Sequence, residues 1–206
     1  RGWHTYAGLW PDAEQEERGL AEDRDVAVQA ARRGFLALAP ATRGLAADAM
    51  VPDIDGRHGN RDCRSHFMHS VLVGRTPTGE RVWDMMRLLD WAASREEIDA
   101  SRVLVLGNSG GGVVTTYTAA CDPRVTVAVA SCSFAPFVRS DGRVQHCDCN
   151  AVPGILRFGE FWDVAGLIAP RAFLVVHGDA DPLFARQDVD RATDALQRIY
   201  EAADAP

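Results

Sequence analysis

Short, continuously apolar runs alternate with helix-like segments along this chain, and the alternation restricts the folds that are open to it. The runs are typical of strands buried on both faces of a sheet, and they span residues 35–39, 103–106, 125–130 and 172–176. Helical patterns cover residues 21–33, 78–94, 113–120 and 188–203. Strands that alternate with helices predict an α/β fold, in which helices cover both faces of a mostly parallel sheet.

The connections between these elements are long and irregular in two places, at 41–64 and 131–169. Just after the first, His66 and His69 lie three residues apart, which is the spacing of one helix face. The second connection is rich in aromatic side chains that either cover a site entrance or belong to the core: Phe134, Phe137, Phe158, Phe161 and Trp162.

The size and composition of the chain favour one globular domain over residues 1–206. Its hydrophobic content of 47% and its charged content of 25% are typical of globular proteins. The formal net charge of -7 argues against a general nucleic-acid binder. No apolar run approaches the roughly 20 residues that a membrane-spanning helix needs.

Five cysteines are too few and too scattered for a disulfide framework, and their number is odd. Cys147-Asp148-Cys149 follows His146, a grouping that could suggest a metal site. A structural zinc site would need a second pair of ligands, which the neighbouring sequence lacks. We therefore expect partly buried thiols or one loop disulfide at this place, and neither a metal nor an organic cofactor.

Residues 107–111 read Gly-Asn-Ser-Gly-Gly and form a G-x-S-x-G pattern between a strand-like run and a helix-like segment. A serine on such a sharp turn adopts strained backbone angles and needs neighbours without side chains. The turn exposes the hydroxyl, and the helix that follows points its amides toward it. Ser109 is therefore the candidate nucleophile, and the alternative is a glycine-rich turn that only caps the helix.

A serine hydroxyl needs a base to accept its proton and an acid to orient that base. Asp181 is the candidate acid, because it lies in a turn just past the 172–176 run and is followed by a proline. Asp179 is the rival carboxylate. Both could instead serve as ordinary turn residues that bond their own backbone. We interpret His177 as structural, because it precedes both aspartates in the chain.

The base and half of the oxyanion hole are missing from these motifs. The Gly110 N–H is the expected first oxyanion donor, and the second would come from a loop at or before residues 2–4. In the chain order Ser, Asp, His, the base should follow Asp181, so we expect it beyond Pro206. The histidines present all precede Asp181: His4, His58, His66, His69, His146 and His177.

On these residues the chain resembles the α/β-hydrolase superfamily. The resemblance rests on residues 34–40 with Arg43-Gly44, on the turn at 107–111, and on 177–182, which read His-Gly-Asp-Ala-Asp-Pro. Within the superfamily the chain is similar to the dienelactone-hydrolase-related and acetyl-xylan-esterase-like branch. That likeness rests on four shorter segments, at 81–84, 88–91, 146–150 and 168–171.

The resemblance implies an α/β-hydrolase core, incomplete at both ends, that cleaves small-molecule carboxylic esters through an acyl-enzyme. Acetyl or similar small acyl esters are implied, including those on carbohydrates, with Ser109 as nucleophile and Asp181 as acid. Dienelactone hydrolases proper carry cysteine at the nucleophile, so Ser109 favours an esterase. The alternatives are a peptidase or amidase on the same fold and a non-catalytic binding protein. Without the base, these 206 residues alone are expected to be inactive.

Overall fold

The computed structural model describes residues 3–46, 56, 59 and 62–204. Its internal contacts divide the chain into two compact units, residues 1–69 and residues 70–206. The prediction of one domain over 1–206 stays a prediction. No helix in the described ranges combines the length and the apolarity needed to cross a membrane.

The first unit is built from helices. They are α1 (Trp3–Tyr6), α2 (Ala13–Ala21), α3 (Val26–Arg32) and the first residues of α4 (Asp62–Leu72). α2 begins after Asp12, whose carboxylate accepts the backbone N–H of Gln15 at 2.8 Å and the side-chain amide of Gln15 at 2.8 Å. The bond from the Gln15 backbone satisfies a donor that the first turn of a helix leaves unpaired.

Two sequence expectations for the first unit are wrong. The helix expected at 21–33 is shorter, because a turn at 22–25 separates α2 from α3. The run 35–39 forms neither a strand nor a helix, and Phe35 and Leu36 are 55% and 58% exposed. A strand requires a partner backbone, and no described residue pairs with this run. Of the irregular stretch at 41–64, Pro52 and His58 lie outside the described residues.

The second unit alternates helices and strands, as the sequence predicts. The connection at 131–169, which was expected to be irregular, contains two short 3₁₀ turns, Asp148–Asn150 and Ile155–Arg157, and one helix, Phe161–Gly166, whose start is capped by Glu160. The regular elements are α5 (Pro77–Ala93), β1 (Val103–Asn108), α6 (Gly110–Cys121), β2 (Val125–Ser131), α7 (Phe161–Gly166), β3 (Ala172–Val176) and α8 (Arg186–Ala202).

The three strands form a parallel sheet in the order β1-β2-β3. Because the strands join the sheet in chain order, right-handed crossovers place their connecting helices on the same face. Val105 and Ala128 on that face are buried in the core. On the opposite face Leu104 is 49% exposed and Leu174 is 55% exposed.

The aromatic residues of the 131–169 connection belong mainly to the core. Phe134, Phe137 and Phe161 are 1%, 6% and 0% exposed, and the rings of Phe134 and Phe137 both contact the ring of Phe161. Phe158 differs, since it is 89% exposed. Three of the candidate entrance residues therefore stabilise the unit by burial of apolar surface.

Candidate active site

Ser109 lies at the junction between β1 and α6 and has unusual backbone angles. Its φ is 53° and its ψ is -121°. A residue with a Cβ rarely adopts a positive φ, and such strain, about 1–3 kcal/mol, persists only where surrounding contacts hold it. Ser109 is exposed, and its side chain does not cap α6. Its hydroxyl is therefore accessible at a strained strand-to-helix turn.

Backbone hydrogen bonds on both sides hold Ser109 in this conformation. Its N–H donates to the carbonyl of Ser131 in β2 at 2.8 Å. Its carbonyl accepts the N–H groups of Gly112 at 2.9 Å and Val113 at 3.1 Å. The serine is thus attached to the sheet through one group and to the first turn of α6 through the other.

Gly107 is required because the start of α6 passes close over the end of β1. A Cβ on Gly107 would lie 2.2 Å from both the carbonyl carbon and the oxygen of Gly111. These are backbone atoms of the turn, so no side-chain rotation could relieve the overlap. The first glycine of the G-x-S-x-G pattern therefore permits a close approach of backbone.

The other glycines of the turn have different roles. A Cβ on Gly111 would meet nothing within 4 Å, so the structure gives this second glycine of the pattern no steric role. A Cβ on Gly112 would lie 2.1 Å from the hydroxyl oxygen of Ser133. Gly112 lies outside the pattern, and the sequence reasoning missed both it and Ser133. Only the packing of α6 against the end of β2 reveals this contact.

Gly110 is the first residue of α6, and no atom of the described residues accepts its N–H. The first amides of a helix have no partner within the helix and carry its partial positive charge. The Gly110 amide follows directly after Ser109. It is therefore available to a negatively charged oxygen formed at that serine.

The ends of the three strands form one edge of the sheet. Asn108, Ser131 and Val176 are neighbours in the register of β1, β2 and β3. Ser109 and His177 are the next residues along β1 and β3. With strands about 4.8 Å apart, their backbones are separated by about 10 Å across β2. The structure thus brings the serine turn and the 177–182 turn to the same edge.

Asp181 is held by its own turn. Its Oδ1 accepts the N–H of Leu183 at 2.8 Å and of Phe184 at 3.3 Å, and its N–H donates to Gly178 at 3.1 Å. Its Oδ2 lies 4.0 Å from Nδ1 of His177. The side chain is 12% exposed. One carboxylate oxygen is thus fixed by two amides, and the other remains for a further donor.

The rival carboxylate, Asp179, faces solvent. Its side chain is 85% exposed and is paired with the guanidinium of Arg186. An exposed ion pair contributes little to stability. Asp179 therefore lacks the shielding and the backbone amide contacts that Asp181 has.

His177 directly follows β3 at the carboxyl edge of the sheet. Its side chain is 9% exposed, and its Nε2 is buried with no partner among the described residues. Its Nδ1 is too far from Asp181 for a hydrogen bond. The interpretation of His177 as structural stays a prediction. His66 and His69 both lie on α4, as their spacing indicated.

His146 is buried among aromatic rings. It is 8% exposed, and its ring centroid lies 5.4 Å from that of Phe137, 5.2 Å from that of Phe161 and 5.4 Å from that of Phe184. Its Nε2 lies 3.0 Å from the carbonyl oxygen of Ala135. Its Nδ1 is buried and has no partner in the described part of the chain.

Burial lowers the pKa of His146 below its ordinary value of 6.5, and the contact with the Ala135 carbonyl opposes this only in part. The folded state therefore binds fewer protons than the unfolded state just below that pH. Titration of His146 therefore does not affect the free energy of unfolding above about pH 6.5. Below that pH the free energy of unfolding decreases as the pH falls, by at most about 1.4 kcal/mol per pH unit. Thermal melts from about pH 7 to about pH 5 should show this loss.

The variant His146→Phe should flatten the pH dependence of those melts, whatever its absolute stability. His69→Gln is the matched control, because His69 is exposed, and it should retain the full dependence. An unchanged slope in His146→Phe would contradict this assignment.

Cys147 and Cys149 are both reduced, with their sulfur atoms 3.7 Å apart. The Cys147 contact, followed by burial, raises the pKa of the Cys149 thiol, so Cys149 stays protonated near neutral pH. Its carbonyl accepts the hydroxyl of Thr78 at 3.2 Å, and its sulfur lies 3.3 Å from Nη1 of Arg81. These bonds attach the 148–150 turn to α5.

Solved structures with little sequence identity share this fold. A Bacteroides fragilis NCTC 9343 protein assigned to the acetyl xylan esterases matches with a TM-score of 0.71 and 18% identity, over 98% of this chain and 53% of that one. A Klebsiella pneumoniae subsp. pneumoniae MGH 78578 protein assigned to the dienelactone hydrolases matches with a TM-score of 0.52 and 19% identity, over 90% and 65%. The fold is that of the α/β-hydrolases.

Sequence comparison identifies one family within the class of α/β-hydrolases. Residues 28–154 match the family model for acetyl xylan esterase (AXE1), and the chain belongs to this family. YtaP of Bacillus subtilis (strain 168) is 28% identical over 137 residues, which cover 65% of this chain and 46% of YtaP. Methylesterase BT1017 is 30% identical with a TM-score of 0.52, over 63% of this chain and 28% of that one. The predicted resemblance is confirmed.

This chain spans about half the length of YtaP and of the Bacteroides protein. The family match includes Ser109 and Gly110 but ends before Asp181. The assignment of Asp181 thus depends on the geometry of its turn.

Proposed function

We propose that the protein is a serine esterase that cleaves small acyl esters through an acyl-enzyme formed on Ser109. The observation that carries the proposal is the strained, exposed backbone of Ser109 between β1 and α6. Strain of this kind is retained where it positions a reacting group. Membership of the acetyl xylan esterase family supports the same class of reaction.

In the proposed reaction the Ser109 hydroxyl oxygen attacks the carbonyl carbon of the ester while a histidine accepts its proton. The tetrahedral oxyanion is stabilised by the N–H of Gly110. Collapse of this intermediate expels the alcohol, which takes the proton from the histidine, and leaves the acyl group on Ser109. Water activated by the same histidine then releases the acid.

The role proposed for Asp181 is to orient that histidine and to stabilise its protonated form. An orienting acid must be rigid and ionised, and it needs one oxygen for the imidazole N–H. Its Oδ1 is held by the amides of Leu183 and Phe184, which leaves Oδ2 for this task. Asp179 is not shielded from water.

The substrate class follows from the family. We infer that acetyl and similar small acyl esters are cleaved, including acetyl groups on a xylan-type polysaccharide, as the family description indicates. The chemistry that Ser109 and Gly110 offer is common to acyl transfer and does not itself select an alcohol.

The two aspartates provide a matched pair of variants. In the full-length protein, Asp181→Asn should lower kcat/KM for p-nitrophenyl acetate by roughly 10²–10⁴-fold, because the amide cannot stabilise a protonated histidine. Asp179→Asn should change it by less than about threefold, since that carboxylate is exposed and paired with Arg186. Equal losses in both variants, or a loss confined to Asp179→Asn, would refute the role of Asp181.

The class of reaction is tested with three substrates: p-nitrophenyl acetate, acetylated xylan and a peptide amide. Hydrolysis of both esters without cleavage of the amide supports the proposal. Cleavage of the amide at a comparable rate would identify a peptidase or amidase instead. No turnover, together with no labelling of Ser109 by a fluorophosphonate, would indicate a non-catalytic protein.

A further inference from the structure

The first unit contains a cavity of about 630 Å³ that is separate in its residues from the proposed active site. Cavities of about 300–1,000 Å³ are the usual size for small-molecule sites. The wall combines an aromatic ring, two cations and uncharged polar groups, contributed by Trp10, Arg18, Arg24, His4, Thr5 and Gln15. None of these residues takes part in the proposed esterase reaction.

The aromatic wall is held by close packing against α2. A Cβ on Gly19 would lie 2.1 Å from Cη2 and 2.2 Å from Cζ3 of Trp10, so the benzene ring of the indole rests directly on the glycine. Gly19 lies inside α2, where alanine would favour the helix by about 1 kcal/mol. The glycine thus permits the indole to lie flush with the helix.

The charged wall is arranged around one carboxylate. Arg18 donates from Nε to Oε1 of Glu22 at 3.0 Å, and Arg24 contacts the other oxygen of the same group. Hydrogen bonds from Arg18 and then Arg24 lower the pKa of Glu22, so this carboxylate is ionised. Two cations of the wall therefore share this one carboxylate. Within the described residues, no acceptor bonds the Nη atoms of Arg18.

Uncharged polar groups complete the cavity. The side-chain nitrogen of Gln15 donates to Asp12, which leaves its Oε1 as an acceptor. His4 and Thr5 add groups that can donate or accept. A polyhydroxylated ring could bond to these groups, whereas an apolar ring could not.

We propose that this cavity binds an acidic sugar, a pyranose ring that carries a carboxylate. The guanidinium of Arg18 pairs with the ligand carboxylate, a geometry in which arginine is favoured over lysine. The C–H face of the ring packs on Trp10, and the hydroxyl groups bond to Gln15, Thr5 and His4. This binding site is independent of the esterase proposal and holds whether or not Ser109 is catalytic.

Isothermal titration of the full chain with D-glucuronate, D-glucose and benzoate tests the proposal. D-glucuronate should bind at least about tenfold more tightly than D-glucose, which lacks the carboxylate, and more tightly than benzoate, which lacks hydroxyl groups. Benzoate that binds more tightly than D-glucuronate, or equal affinities for the two sugars, would overturn it. So would the absence of detectable binding of D-glucuronate at about 10 mM.

Three variants separate binding from folding. Arg18→Gln should weaken D-glucuronate binding about tenfold and leave D-glucose binding unchanged, whereas an unchanged affinity for D-glucuronate would contradict the site. Gly19→Ala should displace Trp10 and weaken both sugars while helical circular dichroism is retained. Arg95→Gln is the matched control, because Arg95 does not line the cavity. An equal effect in Arg95→Gln would show that the loss is general.

Discussion

Replacement of Ser109 by alanine is expected to lower kcat/KM of the full-length protein for p-nitrophenyl acetate by about 10⁴-fold or more, and to abolish fluorophosphonate labelling. Alanine removes the attacking oxygen and keeps the Cβ, so the turn at φ 53° is retained. The measurement is initial-rate hydrolysis, with labelling followed by mass spectrometry of the peptide that contains residue 109.

Ser94→Ala is the control for this variant, because the Ser94 hydroxyl only bonds the carbonyl of Trp91 at the end of α5. It should retain full activity. Substantial hydrolysis by Ser109→Ala would exclude an acyl-enzyme on this residue.

A second variant at the same position tests the backbone strain at Ser109 separately from its role in catalysis. Ser109→Gly should also be inactive, yet its free energy of unfolding should rise by about 1 kcal/mol, since glycine adopts a positive φ without the Cβ clash. A stability below that of the native chain would show that the backbone at Ser109 is not strained.

Replacement of Gly107 by alanine is expected to destabilise the second unit by more than about 3 kcal/mol, or to prevent its folding. The new Cβ would lie 2.2 Å from the backbone of Gly111. Because Gly111 is a backbone neighbour in the same turn, relief of the overlap requires α6 to move away from β1. That movement would also displace Ser109 and its bond to Ser131.

Gly111→Ala is the matched control from the same five-residue pattern. Its Cβ meets nothing within 4 Å, and alanine favours a helix over glycine by about 1 kcal/mol. Its stability in urea should therefore equal or exceed that of the native chain. If both variants lost the same stability, or if Gly111→Ala were the worse, the steric account of the turn would be wrong.

Elements with a strong local pattern were predictable to within a few residues. The helix expected at 78–94 is found at Pro77–Ala93, and the strand at 172–176 is found there without change. A continuous apolar run bounded by turn residues, or a helical stripe, is encoded by adjacent side chains and needs no long-range information. The strand–turn–helix order around Ser109 was predictable for the same reason.

Four helices, α1, α2, α4 and α7, were not predicted, and two of them show why. α2 is highly charged, but Asp12 followed three residues later by Gln15 is a capping signal that could have revealed it. α4, at Asp62–Leu72, offered only the spacing of His66 and His69. The strand predicted at 35–39 is absent, because an apolar run indicates burial but cannot supply the partner strand that a sheet requires.

The sequence by itself determined the class of fold, the position of Ser109 and the presence of two candidate acids, because each is encoded by a local pattern of neighbouring residues. The tertiary structure decided the rest. It gives Asp181 and Asp179 different surroundings, since Asp181 is shielded and bonded to amides whereas Asp179 is exposed. It also assigned different roles to glycines that the pattern treats as equivalent. Both distinctions depend on which distant backbone or side-chain atoms approach a residue, and that is set only when the strands and helices pack.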